Sequence, residues 1–352
     1  MSGSSLDGLD LATVEYQLDD NEITSWRVLH SESYEYPEEW RKKFESAAAY
    51  NGYKLATLHA DTGNFFGDLC TKFINDTGTK PDYIASHGHT VIHSPKLSFT
   101  LQVGDGSHIA VKTGVPTITD FRTADIAAGG QGAPLAPIAE QHLYSGYGMY
   151  LNLGGIANIS AHRDTAIQAW DVCPCNQLLN FIAGKEGLQF DTEGHLARKG
   201  SIDHKLLEKL RGVISLPHSE PYSLDNSFIL TSFITLLKAS TVSAEDKLAT
   251  SVEYICESIS AQAKQALENL NTQPTVLITG GSAHNDYLIE RLSAHLTKQG
   301  VDAIIPDQHT IDFKEAVLMS LCGLMRVLGQ PNAMASVTGA SRDTINGGLF
   351  LP

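Results

Sequence analysis

Asp171 ends an apolar run, AIQAWDV, immediately before the turn CPCN. A carboxylate presented at a strand end can take a proton from water or a hydroxyl; capping the following turn is the competing role. Asp120 and Arg122 close a second short run in TDFR. The Arg122 guanidinium can grip a carboxylate or phosphate through two parallel N–H bonds, and a structural Asp-Arg pair is the alternative. SHGHTVIH brings His87, His89 and His93 close together after a third run. Alternate strand residues share a face, yet no Glu or Cys stands at a familiar zinc spacing, so a histidine contacting an organic ligand is preferred to a metal site. Glu315 follows Asp312 by three residues, the spacing of a capping box, which is compatible with a binding role.

Glycine turns form the second group. GSSLDGLD covers Gly3, Ser4, Ser5, Leu6, Asp7, Gly8, Leu9 and Asp10. Small residues let backbone amides approach a phosphate, hydroxyls add donors, and Asp7 can orient magnesium-bound water; a plain hairpin turn competes. LNLGGIANIS sets Gly154 and Gly155 between two strands; a phosphate-facing turn there would let Asn152 and Asn158 contact a nucleotide, while a tight β-turn is the preferred reading of the stretch alone. LITGGSAHN runs a strand into Gly280, Gly281 and Ser282 before a helix, a natural anion or adenosine seat. Neither G-x-x-x-x-G-K-[ST] nor G-x-G-x-x-G occurs, which excludes a P-loop and weighs against a dinucleotide enzyme. G-x-S-x-G and H-E-x-x-H are absent too.

Elements that hold these groups are legible in the periodicity. Alternation over 11–18 and 23–29 reads as a hairpin; helical spacing follows over 37–49 and 60–74. Short strands are expected at 83–85, 101–103 and 116–118. From Tyr150 the same grammar returns as strand, glycine turn, strand, polar turn, strand, then helices. A strand is expected over 275–279, and helices after Ser243, over 286–296 and over 313–328. Repetition of strands followed by helices argues for an α/β protein of two similar lobes, 1–133 and 134–352, with a ligand in the cleft between them. Hinge material is expected at 134–144 and in the C-terminal helix.

Length and composition agree: 352 residues with 42% hydrophobic content exceed one ordinary core. A net charge of −15 without a Lys/Arg run weighs against nucleic acid and anionic membranes. Five scattered cysteines do not form a disulfide framework, and no apolar stretch has the length of a membrane span. A cytoplasmic setting is therefore expected.

Together MSGSSLDGLD, ASHGHTVIH, TLQVGDG, TDFRTADIAAGGQGAPLAP, NLGGIANI, WDVCPCN, FDTEGHLARKG, ITGGSAHN, FKEA and SVTGA resemble, in order and over nearly the whole chain, the anhydro-N-acetylmuramic acid kinases. That resemblance implies a two-lobed actin-like ATPase fold, ribonuclease H-like in each lobe, with ATP and Mg2+ between the lobes. It further implies phosphorylation of an anhydro-sugar at its six-position oxygen in peptidoglycan recycling. On it, Gly3 to Asp10 form an ATP phosphate loop, Gly154, Gly155 and Gly280 to Ser282 approach the nucleotide, and Asp171 is the catalytic base. His87, Asp120, Arg122 and Glu315 become sugar-side candidates. A homodimer is compatible with it, and the magnesium ligands are left open. The family's usual GTS is GSS here, HGQT is HGHT, and DTGPGN is DVCPCN; cysteines replacing two glycines are expected to crowd a ligand's approach. Such kinases usually carry a strand before MSG, so a strand-coding segment is expected upstream. A non-catalytic sugar- or nucleotide-binding descendant, or a kinase for a simpler anhydrohexose such as levoglucosan, are the rival readings.

Overall fold

The computed structural model describes residues 1–3, 6–163, 166–216, 223–267 and 274–352. Its chain forms two compact units, Met1–Ser145 with Phe313–Pro352, and Gly146–Asp312. The expected boundary at 133/134 lies inside the first unit, because the segment from 134 to 143 joins that unit's core through Leu135, Ile138, Ala139 and Leu143.

In the first unit, β1 (Gly8–Asp19) and β2 (Glu22–Glu35) form a long antiparallel hairpin. Asp20 and Asn21 turn it with φ of 48° and 66°, a left-handed conformation that Asp and Asn tolerate. β3 (Ile84–Ala85) pairs in parallel with β6 (Thr117–Thr119), whose other edge takes the C-terminal strand Gly348–Phe350. β4 (His89–Ser94) and β5 (Phe99–Val103) form a second hairpin. Helices α1 (Glu38–Ser46), α2 (Gly52–Thr77), α3 (Gly106–Thr113), α4 (Thr123–Ala127) and α5 (Ala136–His142) complete the N-terminal part. α2 starts eight residues before the expected position, at an Asn51 side chain that accepts the Lys54 amide at 2.9 Å.

The second unit is built on one five-stranded sheet of order β11-β10-β7-β8-β9. β7 (Met149–Leu153), β8 (Ile156–Arg163) and β9 (Ala166–Pro174) are antiparallel in sequence, while β10 (Thr275–Thr279) and β11 (Asp302–Ile304) run parallel to β7. Three strands fill one side and the chain then returns to the other, the ribonuclease H-like order that the family resemblance implied. The order reverses between β7 and β10, the kind of position at which open α/β sheets bind ligands. α6 (Asn176–Lys185), α7 (His204–Arg211), α8 (Asn226–Thr231), α9 (Phe233–Ala239), α10 (Ala244–Leu267) and α11 (Asp286–Thr297) follow. Ser243 caps α10 by accepting the Asp246 amide at 3.1 Å, as its position suggested. The core beneath the sheet joins Leu151, Ile159, Ile278, Leu178, Ile255 and Leu292, all fully or nearly fully buried.

α12 (Gln308–Leu328) corrects one expectation. Its cap is Asp307, which accepts the Thr310 amide and hydroxyl at 2.9 Å each, so Asp312 and Glu315 lie inside the helix and form no capping box. Asp312 instead pairs with His284 Nε2 at 2.8 Å. Glu315 is exposed and free for other use.

Candidate active site

In the first unit a cavity of about 450 Å3 collects Ser2, Gly3 and Leu6 with His87, His89, Arg122 and Glu315. Met1 and Ser2 run antiparallel to β1 through an Asp10 N–H to Met1 carbonyl bond of 2.9 Å and a Ser2–Leu9 bridge. Gly3 and Leu6 border the cavity. Ser4 and Ser5 lie outside the described residues. Leu9 is buried in the core, and Gly8 is required by packing, since a Cβ there would meet the Tyr34 carbonyl oxygen at 2.5 Å. Asp7 is exposed and accepts the Gly8 amide at 3.0 Å, while Asp10 accepts the Ser33 hydroxyl.

Arg122 donates through Nε to His87 Nε2 at 2.8 Å and through a terminal nitrogen to the Gly132 carbonyl at 2.6 Å. Because a guanidinium only donates, His87 Nε2 must accept, and its proton sits on Nδ1, which donates to the Gly88 carbonyl at 3.1 Å. Burial, reinforced by the neighbouring Arg122 cation, pushes the His87 pKa down to about 3. The ring is a neutral strut that orients Arg122. Burial also lowers the Arg122 pKa, against the nearby Glu315 charge, and its cation borders the same cavity as Glu315.

The loop AAGGQGAP explains why Arg122 stays in place. Asp125, wholly buried, accepts the Gly132 amide at 2.7 Å and the Thr338 hydroxyl at 2.7 Å, tying this loop to the segment SVTGA. Gly132 has φ of 67° and presents its carbonyl to Arg122. Asp120 takes another part: it is exposed, holds φ of 68° and accepts the Thr123 hydroxyl at 2.5 Å at the start of α4. It does not border the cavity.

The second unit carries a polar row across four strands. Thr279 on β10 pairs with Asn152 on β7, Asn152 with Asn158 on β8, and Asn158 with Asp171 on β9. Residues in register share a face, so the four side chains form one strip at the strand ends that carry the glycine turns. Asp171 is half-buried. Its Oδ2 accepts the Leu224 amide at 2.8 Å and the Ser223 hydroxyl at 3.4 Å, and its Oδ1 has no partner among the described residues. Desolvation raises the Asp171 pKa above the usual carboxylate value, partly offset by those two donors. Sequence reasoning named Asn152 and Asn158 but missed Thr279 and Ser223, because only strand register reveals the first and only a contact across 52 residues reveals the second.

Glycine turns adjoin this strip. Gly154 and Gly155 turn their carbonyls toward the start of α6, where they accept the Cys175, Asn176 and Gln177 amides at 2.9 to 3.1 Å. α6 thus spends its first donors on the turn. A Cβ at Gly154 would meet Asn152 Nδ2 at 3.3 Å and one at Gly155 the Gln177 side chain at 3.4 Å, so the nearest atoms to the turn are side chains rather than backbone. Gly280 has φ of 94°, and a Cβ there would approach Asn152 Oδ1 and the Leu153 backbone to 2.8 Å. Ser282 next to Gly281 donates to Asn176 Oδ1 at 2.6 Å, locking the two turns side by side. The expected crowding by cysteines does not occur at the side chains: Cys173 and Cys175 are wholly buried in the core, with Cys175 Sγ 3.5 Å from Ser282 Oγ. Burial lifts the Cys175 thiol to about 11, so it is inert. All five cysteines are free and buried.

Comparison with known proteins gives one family. The family model described as anhydro-N-acetylmuramic acid kinase matches residues 1–352. Among curated relatives, the anhydro-N-acetylmuramic acid kinase of Photobacterium profundum is 33% identical, covering 99% of this chain and 97% of its own. That of Vibrio cholerae is 33% identical, covering 100% and 97%. Among solved structures, the activator of 2-hydroxyisocaproyl-CoA dehydratase from Clostridium difficile with bound ADPNP aligns over 91% of this chain and 92% of its own, at 11% identity and a TM-score of 0.42.

Proposed function

The chain belongs to the anhydro-N-acetylmuramic acid kinase family, and from that membership we propose how its residues open and phosphorylate 1,6-anhydro-N-acetylmuramic acid in peptidoglycan recycling. Asp171 is the general base. Its Oδ1, without a partner among the described residues, takes a proton from water as the water oxygen bonds to the anomeric carbon. The bond from that carbon to the bridge oxygen breaks, and the released six-position oxygen attacks the γ-phosphorus of ATP, giving the sugar 6-phosphate and ADP. A half-buried carboxylate with a raised pKa, one of whose oxygens has no partner among the described residues, supports this role more than any other feature.

ATP is the phosphoryl donor. The Gly154–Gly155 turn, whose nearest neighbours are side chains, and the close-packed Gly280–Ser282 turn suit its backbone approach, and Gly3 and Leu6 border the sugar cavity. Magnesium fits as a nucleotide-borne ion: among the described residues no group of three or more acidic, His or Cys side chains is arranged to hold a metal, and Mg2+ commonly uses one or two carboxylates plus phosphates and water. Asp7, exposed near Gly3 and Leu6, would hold it through water, where it would supply positive charge to the phosphates. Arg122, steadied by His87, binds an anionic group of the sugar, and Glu315 accepts from a hydroxyl. Among the described residues no helix is long and apolar enough to cross a membrane; a cytoplasmic setting is part of this proposal because ATP is its phosphoryl donor.

Turnover in 18O-water tests the chemistry. Sugar-dependent ADP release should place one 18O on the anomeric carbon and none in the phosphate of the product. Label in the phosphate, or ADP release indifferent to the sugar, would remove the proposal.

A further inference from the structure

We infer that His89 donates its Nε2–H to the acetamide carbonyl of the sugar, and that Tyr36 and Ser2 hold the ring in that one tautomer. The inference rests on the kinase reading above and assigns a specificity role to a histidine that stands where similar kinases have glutamine.

His89 begins β4 and is 5% exposed, with its imidazole stacked on Phe44 at a centroid distance of 4.2 Å. The Tyr36 hydroxyl donates to Ser2 Oγ at 2.6 Å, and Ser2 Oγ lies 2.9 Å from His89 Nδ1. Polarity along this chain is fixed by counting protons. With Tyr36 donating, Ser2 has one proton left, and Nδ1 is its only acceptor among the described residues. The reverse arrangement, with Nδ1 donating to Ser2, would strand a buried hydroxyl proton, which costs about 1 to 3 kcal/mol. Nδ1 therefore accepts, and the ring proton sits on Nε2. No described residue binds Nε2, and the ring borders the cavity.

Burial also keeps this ring uncharged, with a pKa pushed down to about 4. The cavity thus offers three different recognition groups: the Arg122 cation, the Glu315 carboxylate and a neutral N–H donor. A carboxylate is drawn to Arg122 and a hydroxyl to Glu315. The neutral donor matches a neutral carbonyl, which accepts more strongly than ether or bridge oxygens. On an anhydro-N-acetyl sugar that carbonyl belongs to the acetamide.

Calorimetric titration with 1,6-anhydro-N-acetylmuramic acid and with its N-deacetylated form isolates the acetyl group. His89→Phe should weaken the acetylated sugar at least tenfold and leave the deacetylated one within about twofold. His89→Gln, which restores an N–H donor, should bind the acetylated sugar within about threefold of the native protein. The 15N spectrum of the native imidazole should show protonation at Nε2, and Tyr36→Phe should mix the two tautomers. Equal loss for both sugars, no loss for either, or a proton on Nδ1 overturns the inference. If His89→Phe does not fold, the native ring tautomer still decides it. A native protein that neither binds nor turns over the acetylated sugar counts against the kinase reading itself, whereas native turnover with an indifferent His89→Phe counts against this inference alone.

Discussion

Replacing Asp171 by Asn separates chemistry from stability. The substituted side chain keeps an oxygen to accept the Leu224 amide, now 2.8 Å from Oδ2, so the local hydrogen bond survives. What disappears is the proton acceptor, and removing general-base assistance lowers turnover by about 10²- to 10⁴-fold, or about 2.7 to 5.5 kcal/mol of barrier. Stability moves the other way. Desolvation raises the Asp171 pKa in the folded state, so this group's contribution to folding is most favourable below the unfolded carboxylate value and is lost as pH rises through the raised folded value. At neutral pH the native protein carries that burden and the Asn variant does not. Melting temperature should hold or rise, by an amount worth on the order of 1 kcal/mol or less once the weaker neutral hydrogen bond is subtracted. Sugar-dependent ADP release and thermal melts at pH 7 measure both quantities. A variant with native turnover, or one that loses turnover only because it melts several degrees lower, would refute the assignment.

Ser223→Ala removes a donor that holds the Asp171 pKa down, so the acid limb of the kcat/KM profile should move to higher pH; a limb that stays put would sever Ser223 from the base. Gly280→Ala combines φ of 94° with contacts of 2.8 Å to Asn152 and Leu153, and urea unfolding should show a loss of about 1 to 3 kcal/mol, whereas Gly154→Ala, whose nearest contact is 3.3 Å, should cost less than half as much. Arg122→Met strands the buried His87 Nε2, so it should both weaken sugar binding and lower stability by about 1 to 3 kcal/mol in the same denaturation assay. His87 and His89 are held neutral with pKa values of about 3 and about 4, below the unfolded value of 6.5. Their contribution is complete above pH 6.5 and lost as pH falls toward those folded values, so the unfolding free energy should drop with a slope approaching about 1.4 kcal/mol per pH unit for each ring. The double variant His87→Asn, His89→Gln should flatten that slope.

Local signals reached the elements whose ends are marked by their own side chains. Ser243 caps α10 and the five residues from Thr275 to Thr279 form β10, as alternation and capping chemistry required. Competition between nearby signals defeated the same logic at α12. Asp307 with Thr310 offers two hydrogen bonds to the helix start, and Asp312 with Glu315 offered a similar pattern five residues later; only the first lies where the backbone donors are unpaired. α2 began early for a related reason, since Asn51 caps a first turn whose residues carry little apolar periodicity.

The site was legible in type but not in partnership. Asp171, Arg122 and Glu315 stand out as charged residues at strand ends or on a helix, yet what each does depends on contacts no spacing encodes. Asp120 and Arg122 are two residues apart and have opposite fates: a left-handed φ of 68° turns Asp120 to the start of α4, while Arg122 reaches His87 across 35 residues. The cysteine substitutions at CPCN follow the same logic. In sequence they replace glycines beside the base, but on β9 and at the start of α6 both thiols point into the core, where their bulk is absorbed by packing rather than set against a ligand. Whether a replaced glycine impairs a site is therefore decided by which side of the backbone the new atoms enter. Here the register pairs Cys173 with Ala157 and Asp171 with Asn158, so the Cys173 side chain enters the face opposite the polar row.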